Sequence, residues 1–121
     1  MTTTVTALQA VLDAKPGAAG ATLPSTSGVL LYKVMGKMFA ILTLKGGGNV
    51  ILKADPHLAE TMRAQYAGVG HRSHLDRRFW IAVDLDADVP SDEIDRLVDH
   101  SYDQVTAKLT RKQKADLAGL G

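Results

Sequence analysis

The chain has 121 residues, 45% of them hydrophobic, which suits one compact domain with a core of ordinary size. Its net charge of +1 excludes a strongly basic nucleic-acid arm and an acidic tail, and the lack of cysteine excludes disulfides, thiolate metal sites and a cysteine nucleophile. No apolar run approaches the roughly 18 residues of a membrane span, and the N-terminus lacks a signal-peptide pattern. We expect one cytoplasmic domain over residues 1–121 that does not enter a membrane.

A short amphipathic helix is predicted near the N-terminus. Leu8 and Leu12 recur at helical spacing after Thr4, which can cap the helix, and Pro16 follows its end. The next segment, AAGATLPSTSG at residues 18–28, is rich in small and polar residues and has no periodicity. We therefore expect it to be an exposed, mobile connection.

The centre of the chain predicts an antiparallel meander, because its residues alternate with a period of two between glycine-containing turns. The three predicted strands are Val29–Val34, Lys37–Leu44 and Val50–Lys53. Side chains of a strand alternate between its two faces. In the middle strand this places Met38, Ala40, Leu42 and Leu44 on the core side, and Lys37, Phe39, Ile41, Thr43 and Lys45 on the other side.

Two further helices and a hairpin are predicted in the second half. Asp55 and Pro56 favour a helix start, and that helix ends at Gly68. Strands are expected over residues 69–75 and 78–83. Ser91 is the expected cap of a long helix with Lys108 in its last turn, and Thr110 can cap a brief terminal helix over residues 111–117.

The predicted core follows from strand alternation and helical spacing. The long helix should bury Ile94, Leu97, Val98, Ser101, Val105 and Leu109. With the strands, the core should contain Met38, Ala40, Leu42, Leu44, Val50, Leu52, Phe79, Ile81, Val83, Ile94, Val98 and Val105.

Charge is segregated along the sequence. Residues 29–53 contain four lysines and no acid, whereas residues 84–103 contain eight acids against Arg96. The acids from Asp84 onward match part of the spacing of a calcium loop, but Val89 takes the position that needs glycine and Pro90 follows it. We favour a solvated acidic edge, and expect neither a metal ion nor a cofactor.

Four groups of residues carry a family resemblance: Tyr32–Ala40, Leu52–Pro56, the set His74, Arg78 and Trp80, and Asp99–Tyr102. In this order and spacing they resemble the MmcQ/YjbR family. The resemblance implies a frataxin-like α+β fold, a two-layer sandwich with a five-stranded antiparallel sheet, helices on one face and the order α-β-β-β-α-β-β-α. The family is also described as a "double wing" DNA-binding motif. Three features depart from the family pattern. Met35 stands where the family commonly has glycine, the segment before the first strand is small and polar, and the Gly46–Gly48 run is unusually flexible.

Two aromatic and polar positions need weighing. His74 lies near Trp80 in the predicted hairpin, but no second catalytic partner is evident, so we favour a structural histidine over a functional cluster. Trp80 alternates with Phe79. If the Phe79 side is the core, Trp80 lies on the open side of the sheet with Lys37, Phe39 and Lys45, a mixture suited to stacking and phosphate contact. The alternative is that Trp80 only covers that side.

The sequence assembles no reaction centre, so we expect a non-enzymatic protein. The favoured partner is double-stranded DNA, bound weakly and without sequence preference. The candidate binding residues are Lys33, Lys37, Lys45, Lys53, Arg72, His74, Arg77, Arg78 and Trp80. Two alternatives stay open. One is a protein-interaction or chaperone-like module that uses the open sheet face around Phe39, Ile41 and Trp80, and the other is a frataxin-like metal-binding module that uses Asp84, Asp86 and Asp92.

Overall fold

The computed structural model describes residues 4–23, 26–44, 48–71 and 75–120. Within these residues the helices are α1 (Val5–Asp13), α2 (Pro56–Gln65), α3 (Ser91–Thr106) and α4 (Arg111–Leu120). The strands are β1 (Ala18–Leu23), β2 (Thr26–Val34), β3 (Lys37–Thr43), β4 (Asn49–Lys53), β5 (Val69–Gly70) and β6 (Trp80–Asp84). They form one antiparallel sheet in the order β1-β2-β3-β4-β6-β5.

One face of the sheet is covered by helices. Leu8 and Leu12 of α1, Met62 of α2 and the apolar stripe of α3 join the inward side chains of the strands in one core cluster. The predicted α3 stripe is confirmed, since Ile94, Leu97, Val98, Ser101, Val105 and Leu109 are all buried. The α+β arrangement with helices on one face is therefore as expected, but the described sheet has six strands and not five.

The opposite face carries an apolar row that crosses the sheet. Ala21, Leu31, Ile41, Ile51 and Ala82 are paired in register from β1 to β6. None of these five belongs to the core cluster beneath the helices. We call this side the open face.

The additional strand is β1, which forms from the segment that was predicted to be a mobile connection. It pairs with β2 from Ala18 opposite Val34 onward, and Gly20 lies directly opposite Tyr32. A Cβ atom at Gly20 would lie 2.8 Å from the Tyr32 ring, so the ring covers the bare backbone of β1. The small residues that suggested a loop are those a strand needs where an aromatic ring lies across it.

A bulge in β3 corrects the predicted register. Tyr32 pairs with Ala40 while the next residue, Lys33, pairs with Met38, so Phe39 is the extra residue. Phe39 and Ala40 are consequently both buried, although alternation predicted Phe39 on the open side. Met38, predicted in the core, is half-buried for the same reason.

Two other core predictions are wrong. Leu44 lies one residue beyond β3 and Phe79 one residue before β6, and each is 36% exposed. The first strand of the second hairpin is also shorter than expected, ending at Gly70, whereas β6 begins at Trp80 and extends to Asp84.

The N-terminal ends of the helices agree with the sequence signals in three of four cases, whereas α2 ends at Gln65 and not at Gly68 as predicted. The hydroxyl of Thr4, a carboxylate oxygen of Asp55 and the hydroxyl of Thr110 accept backbone N–H groups of the first turns of α1, α2 and α4. Ser91 is not the cap of α3: it is the first helical residue, and the capping residue is Pro90, which has no side-chain acceptor. Lys108 lies beyond the last turn, because α3 ends at Thr106.

Candidate functional site

A cleft opens where the pairing of β3 with β4 stops. The register of the two strands ends at Ala40 opposite Leu52, next to the Phe39 bulge. At this point the structure has a cavity of about 300 Å³. We call it the lysine cleft, and its lining residues are Lys37, Met38, Lys53, Trp80, Val105 and Lys108.

Ser101 of α3 holds the two strands beside the cleft. Its buried hydroxyl donates to the carbonyl oxygen of Phe39 at 2.6 Å and accepts the backbone N–H of Lys53 at 2.9 Å. The hydroxyl thus links two backbone groups that lie just beyond the end of the β3–β4 ladder. It also fixes α3 against the sheet, so that Val105, one turn later, reaches the cleft.

Trp80 forms the other wall. It lies directly opposite Lys53 in the sheet, on the open-face side, because its neighbour Ile81 points into the core. The Lys53 Nζ atom lies 6.0 Å from the centre of the Trp80 ring, at the outer limit of a cation–π contact. A second hollow of about 220 Å³ shares Trp80, Lys53 and Lys108 with the lysine cleft and adds Pro56, Phe79 and Gln104. Trp80 and its lysines therefore border two adjoining spaces.

The lysine cleft concentrates positive charge. Neither it nor the second hollow is lined by an acidic residue, and no carboxylate of the described residues lies within ion-pairing distance of Lys37, Lys53 or Lys108. Partial burial, followed by repulsion from Lys108 and Lys37, lowers the pKa of Lys53 below its usual value. The carbonyl end of α3 offers only about half a negative charge against three ammonium groups. An anion entering the cleft would relieve this repulsion.

The structure brings together only part of the predicted site. Lys37, Lys53 and Trp80 meet in the lysine cleft. Lys33 is close to the cleft, because its backbone pairs with Met38. Its exposed side chain, however, lines a different groove of about 350 Å³ beside Ala19 and Leu31 on the open face. Predicted residues Lys45, Arg72 and His74 lie outside the described residues.

The two arginines before β6 lie in a different setting. Arg77 is exposed. Arg78 donates to Asp76 at 2.8 Å from Nη2, and this bond, with a backbone bond, lowers the pKa of Asp76 to about 2. Because Asp76 compensates its charge, Arg78 is a weaker candidate for phosphate contact than the sequence suggested.

Sequence reasoning missed Lys108 and Gln104. Lys108 had been assigned to the last turn of α3, where its only expected role was to oppose the helix dipole. The available signal was helical spacing, since Gln104 and Val105 precede Lys108 by four and three residues and so share its side of the helix end.

The acidic segment shows other uses for its carboxylates. Asp88 accepts the backbone N–H groups of Ala67 and Gly68 at 2.9 and 2.7 Å, and these bonds lower its pKa. Among residues 4–23, 26–44, 48–71 and 75–120, no group of three or more histidines and acids is placed to hold a metal ion. In the same part of the chain, no helix is long and apolar enough to cross a membrane.

The fold and the cleft define a small α+β protein with helices on one face of its sheet and a basic cleft at the end of its central strands. The YjbR family model matches residues 13–104. The chain is also 35% identical over 89 residues to the uncharacterized protein YjbR of Escherichia coli K12, covering 73% of this chain and 75% of the relative, and equally to that of strain O157:H7. The chain belongs to the YjbR family, which confirms the resemblance found in the sequence.

Solved structures agree with this assignment. The crystal structure of Deinococcus radiodurans protein DR2400 is similar over 98% of this chain and 89% of its own, with 30% identity and a TM-score of 0.83. A Pseudomonas syringae protein matches 77% of this chain and 93% of its own with a TM-score of 0.64; at 20% identity it supports the fold alone.

Proposed function

We propose that this protein is a non-enzymatic, cytoplasmic DNA-binding protein that contacts the phosphates of double-stranded DNA without regard to base sequence. The observation that carries the proposal is the lysine cleft, where Lys37, Lys53 and Lys108 lie together and none of the described residues that line the space is acidic. Phosphate contacts by lysine supply affinity but carry no sequence information.

The distribution of charge along α3 supports phosphate contact at the lysine cleft. The first turn of α3 carries Asp92 and Glu93, and Lys108 follows its last turn. A helix of 16 residues is about 24 Å long. Phosphates can therefore approach the carbonyl end of α3 and the adjoining end of the central strands, while the first turn of α3 repels them.

The number of lysines sets the expected affinity. Lys33 is exposed on the neighbouring strand and lines a separate groove, so a duplex that spans the groove and the cleft can contact four ammonium groups. Four contacts give a slope of about −3.6 for the logarithm of the binding constant against that of salt concentration. Binding should weaken about 150-fold between ~50 and ~200 mM salt, with dissociation constants of roughly 10⁻⁴ to 10⁻⁶ M.

The test compares two pairs of charge reversals that alter net charge equally. Lys37→Glu with Lys108→Glu places two carboxylates in the cleft, whereas Lys112→Glu with Lys114→Glu alters exposed lysines of α4 that line neither space. Fluorescence anisotropy with a labelled duplex of mixed sequence should show a loss of more than tenfold for the first pair and a small loss for the second. Equal losses, or no binding by the wild-type protein at ~50 mM salt, would contradict the proposal.

A second candidate function is a protein-interaction module, and the apolar row of the open face favours it. Leu31 and Ile41 are only half-buried there, and the core cluster excludes both. A partner bound on this row would be held by apolar burial, so its affinity would change little with salt, unlike that of DNA.

The frataxin-like fold implied by the family resemblance stays a prediction.

A further inference from the structure

The lysine cleft and the hollow beside it have the parts of a nucleotide site. The two spaces, of about 300 and 220 Å³, adjoin at Trp80, Lys53 and Lys108. The larger volume reaches the lower end of the range for small-molecule sites. Their remaining lining differs: Lys37, Met38 and Val105 border the larger space, and Pro56, Phe79 and Gln104 border the smaller one. A ligand that spans both spaces therefore meets different groups at its two ends.

One end of such a ligand is anionic. Lys37 and Lys108 are exposed, Lys53 is half-buried, and all three border the larger space. A phosphate there would be shared by three ammonium donors, with charge-assisted hydrogen bonds about twice as strong as neutral ones.

The other end is flat and aromatic. Trp80 is half-buried, Phe79 is exposed beside it, and the amide of Gln104 borders the same hollow. An aromatic side chain offers a stacking surface that every base can use, and an amide can both donate to and accept from a base edge.

From this geometry we propose that the lysine cleft binds one unpaired nucleotide, with the phosphate held by Lys37, Lys53 and Lys108 and the base stacked against Trp80. The inference concerns the cleft of the proposed function and goes beyond it, because a nucleotide site there does not require duplex binding. Bases in a duplex are stacked and paired, and unstacking one costs energy. A single strand or a free nucleotide gains the Trp80 contact without that cost, so the cleft should favour single strands over duplex.

Trp80 provides its own readout, because it is the one tryptophan of the chain. Titration with dTMP should quench the intrinsic fluorescence to saturation. The matched probe without a base, the methyl glycoside of 2-deoxyribose 5-phosphate, is measured by its displacement of dTMP. It should bind about 5- to 150-fold more weakly, which is the range for loss of one stacked base. If it binds as tightly as dTMP, the cleft is a plain anion site and the inference is overturned.

A variant series then separates stacking from charge. With a fluorescein-labelled dT oligomer, Trp80→Leu should weaken binding about 5- to 150-fold while Trp80→Phe keeps most of it. Duplex affinity should change little in Trp80→Leu, because backbone contacts carry it. Equal binding of the oligomer by the wild-type and leucine proteins would refute the stacking role, and recovery in the phenylalanine variant excludes a mere folding defect.

The two proposals fail in different ways. Duplex binding without quenching by dTMP or the dT oligomer would overturn the nucleotide site and leave the proposed function standing. Saturable binding of dTMP without duplex binding would uphold the nucleotide site and reject the duplex function. Quenching by the dT oligomer but not by dTMP would show that the ligand is the polymer. It would overturn the claim that the cleft binds a free nucleotide.

Discussion

Replacement of Ser101 by alanine tests how the cleft is built. The Ser101 side chain is fully buried, and its hydroxyl joins the Phe39 carbonyl to the Lys53 N–H. Alanine removes both bonds and leaves a donor and an acceptor without their partner. The buried Phe39 carbonyl left unsatisfied costs about 1–3 kcal/mol, the bond to the partly buried Lys53 N–H is worth about 1 kcal/mol, and the better helix propensity of alanine returns about 0.5 kcal/mol. We expect the free energy of unfolding to fall by about 1.5–3.5 kcal/mol.

This is a large part of the roughly 5–15 kcal/mol that stabilises a typical domain. Urea denaturation followed by circular dichroism measures it. The matched control is Thr106→Ala on the same helix, whose hydroxyl donates to the carbonyl oxygen of Asp103 at 3.3 Å at the surface. The control should lose less than about 0.5 kcal/mol. If Ser101→Ala is as stable as the control, Ser101 does not join the two strands and the account of the cleft is wrong.

Two other substitutions have defined outcomes. Gly36 has a φ of 81° with open space around it, so Gly36→Ala should cost about 1–2 kcal/mol through the backbone alone, whereas Gly70→Ala, equally open but without positive φ, should be neutral in thermal unfolding. Burial, then the bond to Asp13, raises the pKa of Tyr32 to about 12. A raised pKa means that the neutral phenol is preferred in the folded state, so its stabilising effect is complete below pH 10 and lost between about pH 10 and 12. Tyr32→Phe should be less stable than wild type at neutral pH, and the difference should shrink over that alkaline range; a constant difference would contradict the raised pKa.

The helices were the most predictable part of the fold. The α3 stripe follows from a period that one helix sets by itself, and Thr4, Asp55 and Thr110 cap their helices through bonds within a few residues. Such signals need no knowledge of the rest of the chain. The prediction of Ser91 as the cap of α3 was wrong, because Pro90 has the extended conformation of a capping residue and Ser91 is already helical.

The strands were less predictable where their geometry depends on distant residues. Phe39 faces the core only because a bulge interrupts alternation, and Ser101, 62 residues away, satisfies its carbonyl. The β1 strand resembled a loop because its residues are small, and the reason for Gly20 is the Tyr32 ring on the next strand. Neither contact leaves a periodic pattern in the sequence.

The candidate site was predicted in part for the same reason. A segment with lysines and no acid indicated an anion-binding surface and included Lys37 and Lys53. Lys108 joins them only through the packing of α3 against the sheet. The pairing of Arg78 with Asp76 was not predicted, because it depends on the conformation of a turn.

The most direct test of the central claim is the salt dependence of duplex binding in proteins with neutral substitutions. Each lysine that contacts a phosphate contributes about 0.9 to the slope of the log–log plot. The account predicts a slope of about −3.6 for the wild-type protein, about −1.8 for Lys37→Gln with Lys108→Gln, and an unchanged slope for Lys112→Gln with Lys114→Gln. If both pairs flatten the plot equally, or neither does, the lysine cleft is not where this protein contacts phosphate.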